Sequence, residues 1–219
     1  MGLRSILDSM RERARRAALG ILWPELTYCQ DGLATEHACD FMRDARFWEA
    51  YELGKRTGSW GWREIHWRAY VACWAAQQVA HLPGDYVECG VNRGGLARAV
   101  MHYLDFARLD KTFYLLDTFC GVPEESISPE ERRLGRRPGG YAECYAAVQE
   151  TFKDFPNVRL IRGVVPETLP LVQAEQVCYL SLDMNVAAPE IAAAAFFWDK
   201  MPPGAVILSD DYGWRGFAP

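Results

Sequence analysis

What this chain lacks narrows its chemistry before any motif is considered. It has no CxxC pair: the seven cysteines, at 29, 39, 73, 89, 120, 144 and 178, stand singly. An odd count without framework spacing reads as free thiols in a reducing compartment, each serving as a small buried hydrophobe. No stretch approaches the roughly 18 to 20 apolar residues of a membrane span. The opening MGLRSILDSMRERARRAALGIL scatters arginines where a signal peptide needs an unbroken apolar core. Ile6 at position six also excludes a myristoylation signal. A cytoplasmic protein is the expectation. Basic excess is missing too: the net charge of −5 argues against a nucleic-acid partner held by phosphate contacts. The dinucleotide fingerprint GxGxxG is absent. The four histidines, at 37, 66, 81 and 102, do not cluster at metal-ligand spacing. Only His37 is kept as a substrate-side candidate, because its segment is placed to fold over a site.

What remains is ordinary globular composition in 219 residues, half hydrophobic and 13% aromatic, with eight tryptophans. That length suits one substantial domain with a helical extension. Residues 4 to 18 form a basic amphipathic stretch with Leu3, Ile6, Leu7, Met10 and Ala14 at helical spacing. A helix packing on its own or a neighbouring subunit is favoured over one lying on a membrane, and a homodimer through these helices is an expectation. Residues 33 to 61 are mixed and aromatic and end in the loop GKRTGSWGW; Trp62 to His81 reads as one long helix, with Trp67, Tyr70, Trp74 and Val79 in its apolar set.

From residue 84 the pattern changes. Short apolar runs, YVEC (86–89), FYLLD (113–117), VRLI (158–161), VCYLSLD (177–183) and AVILSDD (205–211), alternate with amphipathic stretches. That alternation predicts β-α-β units and an open, mainly parallel sheet with helices on both faces. The division expected is a helical extension or lid over 1–83 and an α/β domain over 84–219. The charged stretch PEESISPEERRLGRRPGG (123–140) is expected to be a surface loop or lid.

Ligands of open α/β sheets bind beyond the carboxyl ends of the strands, so those ends hold the candidates. The first strand runs into Glu88-Cys89-Gly90-Val91-Asn92-Arg93-Gly94-Gly95 and then a helix. Glycines there let the backbone approach a ligand, and a helix start offers N–H groups. An acid before the first glycine repels a pyrophosphate but suits a cationic, hydroxyl-rich ligand, which points to S-adenosylmethionine (SAM). The second strand ends in Asp117, followed by Thr118 and Phe119. Its carboxylate is placed for both ribose hydroxyls, or else serves as a loop or cap aspartate. Arg162 and Gly163, after the third strand, are expected to border the adenine.

Strand four ends at Asp183, two before Asn185, and strand five at Asp210 and Asp211. As neighbours these ends bring three carboxylates and an amide together, which is unfavourable unless a cation neutralises them. Oxygen ligands select a hard ion such as Mg²⁺; capping of the following turn by Asp210 or Asp211 is the structural alternative. A cation there would lower the pKa of a hydroxyl on a small-molecule substrate, and Asp183 is the candidate proton acceptor, metal ligand, or both.

With the glycine turn, LLDTFCGVPE, SLDMN and SDDYGW in order, the chain resembles the TylF/MycF-type macrocin O-methyltransferases over residues 84 to 216. The resemblance implies a Rossmann-like class I fold and Mg²⁺-dependent methylation of sugar hydroxyls in natural products. It places SAM at Glu88, Gly90, Arg93, Gly94 and Asp117 and the metal at Asp183, Asp210 and Asp211. TEHACDFMRDARFWEAYELGK resembles the helical lid of some relatives. Two departures bear on the substrate. Asn185 stands where many members have an acid, and Val186-Ala187-Ala188 where they have Tyr-Glu-Ser, so a macrolide sugar is not implied. That family's sheet also continues past DDYG with a helix and two strands, which leaves strand five here as an expected edge. The alternatives are a truncated or inactive SAM-binding protein and a nucleotide-binding oxidoreductase; the glycine spacing and the lack of a Tyr-x-x-x-Lys pair count against the latter.

Overall fold

The computed structural model describes residues 3–210 and 212, with side chains from Ile6 onward. Its elements in chain order are α1 (Leu3–Leu22), β1 (Tyr28–Gln30), β2 (Leu33–Thr35), α2 (Ala45–Arg56), α3 (His66–Gln78), β3 (Asp85–Cys89), α4 (Gly95–Leu104), β4 (Phe113–Asp117), α5 (Pro129–Arg133), α6 (Tyr145–Phe152), β5 (Val158–Arg162), β6 (Val177–Leu182), α7 (Ala187–Trp198) and β7 (Val206–Ser209). The five parallel strands stand in the order β5-β4-β3-β6-β7. The order reverses between β3 and β6, which makes that the switch point where a crevice opens.

Burial follows position in the sheet. Every residue of β6 is buried, as is β3 from Tyr86 to Cys89, because helices cover both faces. β7, an edge among the described residues, alternates instead, as expected of a half-covered strand. Alternation along β3 sends Tyr86 and Glu88 to one face and Val87 and Cys89 to the other. The first face packs a core shared with the N-terminal segment: Phe41, Phe47 and Tyr51 belong to the same buried apolar cluster as Tyr86, Phe106 and Tyr179. The second packs Val87, Cys89, Leu116 and Leu180 against Phe197.

Three expectations need correction. The helix expected from Trp62 to His81 is shorter, and its buried face is made of small residues: Ala69, Ala72, Cys73, Ala75 and Ala76. Trp74, placed in the apolar set by periodicity, is 49% exposed. Close packing on neighbouring helices admits alanine there and turns the large ring outward. The N-terminal segment is not purely helical either. Asp31 and Gly32, both in the left-handed region at φ 49 and 77, turn β1 back on β2 in a hairpin. Finally, the 123–140 stretch contains α5, whose first turn is closed by a capping box between Ser128 and Glu131. A bridge between Val122 and Gly139 ties its base.

Candidate active site

A cavity of about 470 Å³ opens at the switch point. Its floor is the glycine turn after β3. Gly90 takes φ 91, and a β-carbon there would lie 1.8 Å from the Asp183 carbonyl oxygen. Glycine is thus required for the packing of the two strand ends. The start of α4 is less open than expected: the Gly95 N–H donates to Ser59 Oγ at 2.8 Å. Asn92 Nδ2 donates to Ser59 O at 2.9 Å, so the 57–62 turn lies on the glycine turn.

Asp117 ties that turn to β4. Its Oδ2 accepts the N–H groups of Val91 (2.6 Å) and Asn92 (2.7 Å), and Oδ1 accepts that of Phe119 (2.6 Å). Thr118 has one hydroxyl proton, and Gly121 O at 2.7 Å takes it in preference to Asp117 at 3.3 Å. The carboxylate therefore serves its own loop and keeps one acceptor position on Oδ1, where the sequence suggested two for a ribose. Of the two readings of this aspartate, the loop role is the one these hydrogen bonds show.

Glu88 lines the cavity yet is 2% exposed. Burial, then the charges of Asp117 and Asp210, push its pKa up to about 8. Its Oε2 has no hydrogen-bond partner among the described residues. A buried carboxyl with one orphaned oxygen between two acids favours a cationic group close by.

The acid edge stands on the other side of the cavity. Backbone pairing continues past the strands, with Asp183 N donating to Cys89 O (2.8 Å) and Asp210 N to Leu182 O (3.1 Å). Asp183 and Asp210 both line the cavity, and Asn185 Nδ2 donates to Asp183 Oδ1 at 3.1 Å. The expected mutual proximity of like charges is relieved by a cation that periodicity did not single out. Arg68, on α3, places Nη1 2.5 Å from Asp210 Oδ2 and grips Asp31 Oδ2 through Nε (3.0 Å) and Nη2 (2.8 Å). Burial opposes the guanidinium's charge, but Asp210 and Asp31 outweigh it and raise its pKa. Among the described residues no three His, Cys, Asp or Glu side chains converge as a metal group. Asp211, the third expected ligand, lies outside the described residues.

The remaining candidates divide. Thr118, Phe119 and Gly163 line the cavity with Gly90 and Asp117. Cys89 is buried among the apolar residues of the opposite sheet face, and its thiol pKa is pushed up by that burial, then by Glu88. Arg93, Gly94 and Gly95 shape the turn without lining the cavity; a β-carbon on Gly94 would meet the Phe152 ring at 2.5 Å. Arg162 is engaged elsewhere, donating to Glu143 at 2.8 Å beside the Tyr145 ring. His37 is exposed and outside the cavity wall. Periodicity overlooked Asp31, Ser59, Trp60 and Arg68, all supplied by the N-terminal 83 residues. Only the Asp-Gly turn signal at 31–32 was readable, and it speaks of backbone, not chemistry.

The sheet order, the switch-point cavity and the glycine turn tied to the next strand's acid define a class I methyltransferase architecture. The profile described as macrocin O-methyltransferase (TylF) matches residues 67–217, and the chain belongs to that family. It is 27% identical over 143 residues to demethyldecarbamoylnovobiocin O-methyltransferase of Streptomyces niveus, covering 60% of this chain and 54% of that protein. It is 26% identical over 144 residues to mycinamicin III 3''-O-methyltransferase of Micromonospora griseorubida, covering 60% and 56%. The chain thus matches little more than half the length of these relatives. The solved structure of the O-methyltransferase NovP superposes with a TM-score of 0.56 at 26% identity, over 65% of this chain and 64% of that one. The calicheamicin methyltransferase CalS11 matches at TM-score 0.56 and 16% identity over 85% of both, a likeness of fold.

Proposed function

We propose that this chain is a SAM-dependent, Mg²⁺-dependent O-methyltransferase acting on a hydroxyl of a small molecule, a sugar or natural-product glycoside. The observation that carries it is one cavity holding a cationic-cofactor half (Glu88, Gly90, Asp117) and a strand-end acid half (Asp183, Asp210). The sugar and antibiotic names of the relatives support the substrate class. In this reading residues 84–219 form the cofactor domain and residues 1–83 its lid side.

On the cofactor side, Glu88 faces the ammonium end, and Oδ1 of Asp117 accepts from a ribose hydroxyl while Oδ2 holds the glycine turn. Thr118, Phe119 and Gly163 complete the wall. SAM, when bound, supplies the methyl group. The described acids fit a hard ion: a Mg²⁺ shell uses one or two carboxylates with waters and substrate oxygens. Asp183 and Asp210 supply the two carboxylates, Asp211 is the proposed third, and the ion would supply positive charge that makes a substrate hydroxyl more acidic. Asp183, oriented by the Asn185 amide at 3.1 Å, accepts the hydroxyl proton as the oxygen attacks the methyl carbon.

The seven unpaired thiols support a cytoplasmic setting, and no helix among the described residues is long and apolar enough to cross a membrane. The exposed Leu7, Met10, Ile21 and Leu22 of α1 support a homodimer, which light scattering would test. The test of function is methyl transfer from labelled SAM to a panel of glycosides, abolished by EDTA and restored by Mg²⁺. Calorimetric binding of NAD but not SAM would overturn the reading.

A further inference from the structure

The Asp31–Arg68–Asp210 bridge spans the cavity wall from the hairpin tip to the acid edge and belongs to no motif of the strand ends. Its geometry is specific. The Asp31 side chain is 9% exposed and that of Asp210 4%. Asp31 grips the guanidinium through Oδ2 alone, while its Oδ1 is buried without a hydrogen-bond partner among the described residues.

That orphaned oxygen carries the argument. The tip of this hairpin needs a residue that tolerates φ 49, and asparagine or glycine meets that need without burying a charge. A buried carboxylate with half its acceptors unmet is unfavourable unless its charge is used. The nearest use is electrostatic. Arg68 touches Asp210 directly, and its single positive charge would cancel much of the acid edge's attraction for a divalent cation. Asp31 returns one negative charge to the guanidinium from the far side.

We propose that Asp31 is a positioning residue for the cation site: by neutralising Arg68 it leaves Arg68 to orient Asp210 without cancelling its charge. The inference rests on the proposed cation at Asp183 and Asp210. It also gives the N-terminal hairpin a part in the chemistry, since cation affinity then depends on β1 and β2 being docked.

The test is Mn²⁺ binding, followed by the electron paramagnetic resonance of the free ion and by calorimetry, in the full chain and in D31N, R68Q and D31N/R68Q. Asparagine keeps the turn, so D31N isolates the charge. D31N is expected to weaken Mn²⁺ binding about tenfold, the size of effect an outer-shell partner has on metal affinity. In the R68Q background the same change is expected to alter binding by less than about twofold, because its route through Arg68 is gone. Equal losses in both backgrounds would make Asp31 a direct ligand and overturn the proposal, as would an unchanged D31N. Should R68Q fail to fold, R68M replaces it as the second background, in which the change at Asp31 is again expected to alter binding by less than about twofold, and a loss as large as that of D31N alone overturns the proposal. Absence of Mn²⁺ binding in the wild type would overturn the metal reading as well; normal wild-type binding with a silent D31N removes only the role of Asp31.

Discussion

Gly90 and Asp183 meet backbone to backbone at the carboxyl ends of two adjacent parallel strands. A β-carbon on Gly90 would stand 1.8 Å from the Asp183 carbonyl oxygen, and Asp183 N donates to the neighbouring Cys89 O at 2.8 Å. The proposed base therefore owes its position to the absence of a side chain on the cofactor turn. Gly90→Ala combines this clash with strain at φ 91. It is expected to lose about 3 kcal/mol or more of stability in urea unfolding. A loss below about 1 kcal/mol would show that the strand ends can separate.

Glu88 ties stability to pH. Its carboxyl keeps its proton in the folded protein up to about pH 8, because burial and then Asp117 and Asp210 disfavour the charge, whereas the unfolded chain releases it near 4.5. The folded state then binds more protons, so its stability falls as pH rises from about 4.5 to 8, by up to about 1.4 kcal/mol per pH unit, and levels off above. Glu88→Gln removes this slope. Thermal melts should show the variant gaining on the wild type across that window, and parallel curves would contradict the assignment.

The same carboxyl should sense the cofactor. A cationic ligand beside Glu88 favours the ionised form, so SAM binding by the wild type should strengthen as pH rises toward 8 and release protons. In Glu88→Gln the dependence disappears. Calorimetry in buffers of different ionisation enthalpy reads the proton count directly.

Asp117→Asn replaces a carboxylate that accepts three backbone N–H groups with an amide that accepts at only one atom. At least one of the Val91, Asn92 and Phe119 amides then loses its partner. The expected result is a loss of about 1–3 kcal/mol in stability, accompanied by weaker SAM binding because the glycine turn loosens. Unchanged stability would mean that water replaces the carboxylate.

Asp183→Asn tests the proposed proton acceptor. Removing a general base is expected to lower kcat by about 10²- to 10⁴-fold, while SAM affinity, which Asp183 does not serve, stays near wild type. A similar loss in Asp210→Asn without loss of Mn²⁺ binding would shift the role to Asp210.

Much of the fold was legible because its signals are local. The FYLLD and GLARAVMHYL segments form β4 and α4 at the residues periodicity marked, since a run of buried apolar residues and a glycine-led amphipathic stretch each need few tertiary contacts to be read. The strand-end acids were legible for the same reason. Trp74 and Arg162 were not. Periodicity marks a side chain as apolar or charged, but the small-residue packing of α3 and the Glu143 carboxylate decided where each one points.

By itself, then, the sequence determined the order of strands and helices, the glycine turn, and the presence of Glu88, Asp117, Asp183 and Asp210 at strand ends, because the alternation of apolar and polar residues and the rules of parallel sheets act along the chain. Only the tertiary structure decided how those charges are balanced. Arg68 and Asp210 are 142 positions apart, and Arg68 and Asp31 are 37 apart. Packing of α3 beside β7 and the turn of the hairpin put one guanidinium between two carboxylates, and interactions between charges depend on distance in space, which no local pattern encodes.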